Sequence, residues 1–109
     1  MLPKNNRLTK KKDFDTVFRK GASSKVDFLI FKTLGNSLLE SRFGFVVSKK
    51  VSQKATVRNQ VKRRLRDAIS GQLKQIKKPI DVIVIALPSI KEKEFSQMQA
   101  VMKGFLGKL

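Results

Sequence analysis

The sequence predicts an α+β fold, helices layered on one sheet, in the order α-β-β-(β)-α-β-α. Three observations lead there. Apolar residues recur at helical spacing from Val57 to Ile76 and again from Phe95 to Leu106. Runs rich in β-branched and aromatic residues span Val26–Leu34, Ser41–Lys50 and Ile80–Leu87. The chain has 109 residues, 40% of them hydrophobic, which suits one core and one domain over 1–109.

Lys11 to Lys20 reads as a short helix, with Thr9 as its N-cap and Gly21 as its stop. Phe14, Val17 and Phe18 fall at i, i+3 and i+4 and so share one face. Two readings of that face stay open: it is core, or its rings border a groove where single-stranded bases stack. The run Lys10-Lys11-Lys12 beside it is a solvated arm or a secondary phosphate contact. Ala22 to Lys25 is a loop or a short extended piece, the bracketed strand near residue 24. The strand Val26–Leu34 sets Val26, Phe28 and Ile30 on one face and Asp27, Leu29 and Phe31 on the other. Both faces are apolar in the middle, so a helix or a bound ligand must cover the second. After the turn Gly35-Asn36-Ser37, Ser41–Lys50 is the next strand, expected to pair with its predecessor as an antiparallel hairpin. It places Phe43, Phe45 and Val47 on one face, while Gly44 leaves room for close approach on the other.

The segment Lys54–Arg66 holds six Lys or Arg among thirteen residues and no acid. Continued to Ile76, it forms a stripe of Val57, Val61, Leu65, Ala68, Ile69, Leu73 and Ile76 within about half the helix circumference. Arg58, Lys62 and Arg66 line one margin of that stripe, with Asn59 and Arg63 just beyond; Gln60 and Arg64 point to the other side. Like charges packed this densely cost helix stability, which an acidic partner offsets. Lys77-Lys78-Pro79 breaks the helix. Ile80–Leu87 is the most apolar run and reads as an interior strand. Ser89-Ile-Lys-Glu92 is a capping-box pattern opening the last helix, whose core stripe is Phe95, Met98, Met102, Phe105 and Leu106. Two strands joined by the basic helix make a βαβ unit, for which general rules predict a right-handed crossover.

Lys and Arg number 25 against 8 Asp and Glu, a net charge of +17. Such a field attracts nucleic acid or an anionic membrane and exceeds what solubility requires of a small domain. No apolar run approaches the roughly 20 residues of a membrane span. The opening Met1-Leu-Pro-Lys-Asn-Asn-Arg lacks the apolar middle of a signal peptide, so the reading is cytoplasmic. His, Cys and Tyr are absent, which removes the commonest general base, the best nucleophile and any disulfide or thiolate zinc site. Asp13 and Asp15 diverge on their helix, as do Glu92 and Glu94, and no Gly-rich phosphate loop occurs. No catalytic residue and no metal ligand is assigned to this chain.

Val47-Ser48-Lys49-Lys50, followed by Arg58-Asn59-Gln60-Val61-Lys62-Arg63-Arg64-Leu65-Arg66, is similar to the signature of the protein subunit of bacterial ribonuclease P. That signature is an Arg-Asn-Arg triplet running into Lys-Arg-x-x-Arg. Asn6-Arg7-Leu8, Asp13-Phe14-x-x-Val17-Phe18-x-x-Gly21 and Ile83-Val84-Ile85-Ala86 fall in the family's order at similar spacing. Gln60 departs from the triplet's second Arg, and Phe31 occupies the strand position where some relatives carry Tyr.

The resemblance implies an α/β sandwich whose βαβ crossover is left-handed, against the general rule. It implies an RNA-binding subunit of a ribonucleoprotein endoribonuclease, in which a catalytic RNA removes the 5′ leader from precursor tRNA by hydrolysis dependent on Mg2+. It further implies that the Mg2+ is held mainly by the RNA. The catalytic-RNA-binding positions match Lys49, Lys50, Arg58, Asn59, Lys62, Arg63 and Arg66, and the leader-binding aromatics match Phe14, Phe18 and Phe31. The implied partners are the catalytic RNA subunit and precursor tRNA, with no membrane and no obligate protein partner. A stacking groove suits leaders of varied sequence. The alternatives are a structural ribosomal or ribosome-assembly protein, which needs the basic helix but not the aromatic groove, and a DNA-binding module using that helix in a major groove.

Overall fold

The structure, a computed structural model that describes residues 2–76 and 78–109, is built around the chain's most apolar run. Its elements are α1 (Lys11–Lys20), β1 (Ala22–Val26), β2 (Leu29–Gly35), β3 (Arg42–Val46), α2 (Ala55–Ser70), β4 (Ile80–Ala86) and α3 (Phe95–Leu106). Short 3-10 turns lie at Lys4–Asn6, Leu73–Gln75 and Pro88–Glu92. The strands form one four-stranded sheet in the order β1-β2-β4-β3. β4 runs antiparallel to β2 and parallel to β3, and β1 pairs antiparallel with β2. β4 lies in the interior because Val82, Ile83 and Val84 bring apolar side chains to both faces, and all three are fully buried.

Alternation along the strands divides the core in two. On one face Leu29, Phe31, Phe43, Val82, Val84 and Ala86 pack with Leu65 and Ile69 of α2 and Met98, Met102 and Phe105 of α3. On the other, Ile83 packs with Leu8 and Val17, flanked by half-buried Phe14, Leu34, Val46 and Ile85. α1 thus covers the second face and the sheet is sandwiched. The segment before α1 adds to the open side of β3: Leu8 donates its N–H to the Phe43 carbonyl at 2.9 Å.

Several expectations are corrected here. Val26–Leu34 is not one strand but two halves of a hairpin, with Val26 opposite Leu29 and Asp27-Phe28 as the loop. Asp27 takes a positive φ of 53°, which a tight hairpin loop demands and a short polar side chain tolerates. β2 and β3 do not pair, because β4 lies between them. The link from Asn36 to Ser41 has to step over one strand, roughly 10 Å. Phe31 faces α3, not α1: it is 1% exposed and stacks on Phe105 with centroids 3.8 Å apart and planes 6° from parallel.

The helix ends also differ. The N-cap of α1 is Lys10, without a side-chain cap, so Thr9 does not serve. Gly21 does end the helix; a Cβ there would meet the Val17 carbonyl oxygen at 2.5 Å and that of Thr33 at 2.9 Å. α2 stops at Ser70, and Leu73 and Ile76 reach the core from the 3-10 turn and the residue after it. Of the expected breaker Lys77-Lys78-Pro79, Lys77 lies outside the described residues. Ser89–Glu92 falls in a 3-10 turn; the capping box that opens α3 is Glu94 with Gln97, whose Oε1 accepts the Glu94 N–H at 2.8 Å.

Candidate nucleic-acid interface

α2 carries the basic surface. Val61, Leu65, Ala68 and Ile69 are its buried stripe. Arg58 and Lys62 are half-buried along one margin, and Asn59, Arg63, Arg64 and Arg66 are exposed. The stems of such cations lie along apolar surface while their charged heads stay in water. The first turn of α2 holds no acid and the last no base, so the helix does nothing to complement its own dipole. Its burial, not its local preference, keeps it folded.

Lys49 and Lys50 are exposed in the turn before α2, which buried Val51 pins to the core. The Val51 N–H bonds the Ser48 carbonyl at 3.0 Å. Arg58 reaches back to this connection: its Nη1 donates to the carbonyls of Ser52 at 2.9 Å and Gln53 at 3.0 Å.

The aromatic side of the interface lies on α1. Phe14 rests on Gly44, where a Cβ would come within 2.3 Å of the ring; only glycine admits it. Phe18 is 40% exposed, and Lys32 places its Nζ 5.5 Å from the ring centroid, within cation–π reach. Phe14 and Phe18 thus both lie on the α1 side of the sheet, while Phe31 packs on the opposite face. Its neighbour Lys32 takes the α1 side of the sheet instead, beside Phe18. Sequence reasoning missed Lys32, though a lone cation inside an otherwise apolar strand was a signal for an open face.

The basic flank and the aromatic face meet at the edge of β3. Arg66 of α2 and Phe14 of α1 line one pocket of about 240 Å³, together with Arg7, Gly44 and Phe45. Among the described residues no three acidic side chains gather into a metal site. The carboxylates of Asp13 and Asp81 are both bound by Arg42. These two carboxylates are therefore committed to Arg42. Among the described residues no helix is long and apolar enough to cross a membrane.

The family model described as Ribonuclease P matches residues 2–109. Two relatives, each called "Ribonuclease P protein component", illustrate the likeness. One from Synechocystis sp. is 46% identical over 88 residues, 80% of this chain and 71% of the relative. One from Alkaliphilus metalliredigens is 33% identical over 108 residues, 99% of this chain and 96% of the relative. Among solved structures, the RNase P protein from Thermotoga maritima superposes with a TM-score of 0.85 at 28% identity, covering 94% of this chain and 96% of that one. The Staphylococcus aureus RNase P protein gives 0.83 at 30% identity, with 93% and 92% covered. A match over nearly the whole chain, in sequence and in fold alike, places this protein in the ribonuclease P protein family.

Proposed function

We propose that the chain is the RNA-binding subunit of a ribonuclease P holoenzyme, assisting a catalytic RNA that removes the 5′ leader from precursor tRNA. The observation that carries this reading is the shared pocket of Arg66 and Phe14, which brings the cationic helix and the ring-bearing helix α1 together at one sheet edge. Lys49, Lys50, Asn59, Lys62, Arg63 and Arg66 face the catalytic RNA, and the charge of the lysines and arginines replaces counterions along its phosphates. Phe14 and Phe18 take the leader: the exposed Phe18 ring stacks a base, and Lys32 beside it neutralises a neighbouring phosphate. Stacking plus charge reads a single strand without reading its sequence, as leaders of varied sequence require. Mg2+ bound by the RNA would supply charge neutralisation for the hydrolysis. The protein's part is to raise substrate affinity and lower the Mg2+ that the reaction needs.

The test is reconstituted cleavage of precursor tRNA at low Mg2+ with the cognate catalytic RNA, with and without this protein. Stimulation is expected, together with tighter binding of precursor than of mature tRNA. A ribosomal or assembly factor would give neither, and a DNA-binding module would prefer duplex DNA to this RNA.

A further inference from the structure

The connection from β3 to α2 presents Lys49 and Lys50 on a short excursion from the core. Its backbone is fixed at several points. Val51 has no accessible surface, the Val51 N–H bonds the Ser48 carbonyl, and the Lys54 N–H bonds Ser52 Oγ at 3.2 Å. The remaining tether comes from α2 itself. Both hydrogens of Arg58 Nη1 are directed at main-chain oxygens, those of Ser52 and Gln53. Half-buried and so engaged, Arg58 is a poorer phosphate ligand than its place in the basic row suggests.

We infer that Arg58 is a positioning residue: it holds the turn so that Lys49 and Lys50 stand beside the N-terminal flank of α2, and its effect on RNA binding passes through those two lysines. The inference rests on the proposed binding of catalytic RNA by this face. The physical gain is pre-organisation. Two exposed lysines on a loose turn must be ordered when RNA binds, whereas a turn fixed beforehand avoids that cost. Water can replace the arginine at the Ser52 and Gln53 carbonyls, so removing it loosens the turn without unfolding the chain.

A double-mutant cycle on affinity for the cognate catalytic RNA tests this. R58A should weaken binding about tenfold, the size of one charge-assisted hydrogen-bond contribution. In a K49A/K50A background the same change should matter less than about twofold, while in an R63A background it should keep its full effect. An equal loss in both backgrounds would make Arg58 a direct RNA contact and overturn the inference; so would K49A/K50A protein that binds as tightly as the unsubstituted chain. A second arm uses the free protein. Amide exchange at Val51 and Lys54 should quicken about tenfold in R58A, with α3 unchanged. Unaltered exchange there overturns the tether whatever the RNA result. Failure of the unsubstituted chain to bind the RNA at all is the separate outcome that overturns the proposed function, and faster exchange in R58A then still supports the tether.

Discussion

Arg42 and Asp81 stand side by side in the parallel register of β3 and β4, joined by a bidentate pair with Nε to Oδ1 at 2.9 Å and Nη2 to Oδ2 at 2.6 Å. Among the described residues Asp81 is the buried charged side chain, 6% exposed, and Asn36 Nδ2 also donates to its Oδ1 at 2.8 Å. Arg42 turns its remaining amine upward to Asp13 of α1 at 3.1 Å. One guanidinium therefore fastens two strands to each other and the helix bearing Phe14 and Phe18 to the sheet.

Arg42→Ala should cost about 3–5 kcal/mol in urea denaturation, because it leaves Asp81 buried without its counter-charge. Asp13→Ala, at the wetter end of the network, should cost about 1 kcal/mol or less. The hydrogen bond to Asp81 raises the Arg42 pKa, with desolvation opposing it and the charges of Asp81 and Asp13 adding to it. A raised pKa places this contribution below the shifted value and removes it only as pH climbs through it. The R42A deficit should thus be constant over roughly pH 6 to 9. A deficit that shrinks across that window would place its origin elsewhere.

Phe31 and Phe18 should behave oppositely. Phe31→Ala removes a stacked core ring and should destabilise the fold by about 3–5 kcal/mol. Phe18→Ala should change stability by about 0.5 kcal/mol or less, yet reduce the preference for precursor over mature tRNA about tenfold. Undiminished preference in folded F18A would return that ring to ordinary surface.

Gly44→Ala should drive the Phe14 ring off the sheet, since the new methyl group would overlap it. A loss of about 1–3 kcal/mol in thermal denaturation is expected, with weaker precursor binding. Phe14→Leu in the same chain should recover stability but not binding. Recovery of both would show that the pocket needs only bulk at that position.

Lys62→Ala with Arg63→Ala should leave the melting temperature nearly unchanged and weaken binding of the catalytic RNA. The dependence of log affinity on log salt should flatten by about 0.7–0.9 for each phosphate that the variant no longer neutralises. An unchanged slope would mean that these two side chains face water in the complex.

What the sequence disclosed follows from how local each signal is. α1, the stripe of α2 and the interior place of β4 were legible because apolar periodicity records which side of an element is buried. Strand partnership left no such record. β2 and β3 are neighbours in the chain, yet each pairs with β4, whose residues come roughly forty to sixty positions later. The Asp27 loop was hidden because it lacks the Gly or Asn-Gly that usually marks a hairpin. That omission mattered at the site. Two apolar faces gave no internal reason to choose between Phe31 and Lys32, and a one-residue step exchanges faces. The Glu94–Gln97 box escaped because its cap is an acid where Ser or Thr was sought.

The sheet's strand order has a consequence for synthesis on the ribosome. When Val46 has been added, β2 and β3 exist as sequence, but their common neighbour has not yet been translated. Only once Ala86 has emerged can the centre of the sheet be filled, so closure is late and depends on distant contacts. The face on which Phe14 rests and the seat of the cationic helix both include β4, so neither can be complete before then. A chain cut short before Ile80 should therefore lack both, while its excess of positive charge keeps such unfinished copies apart.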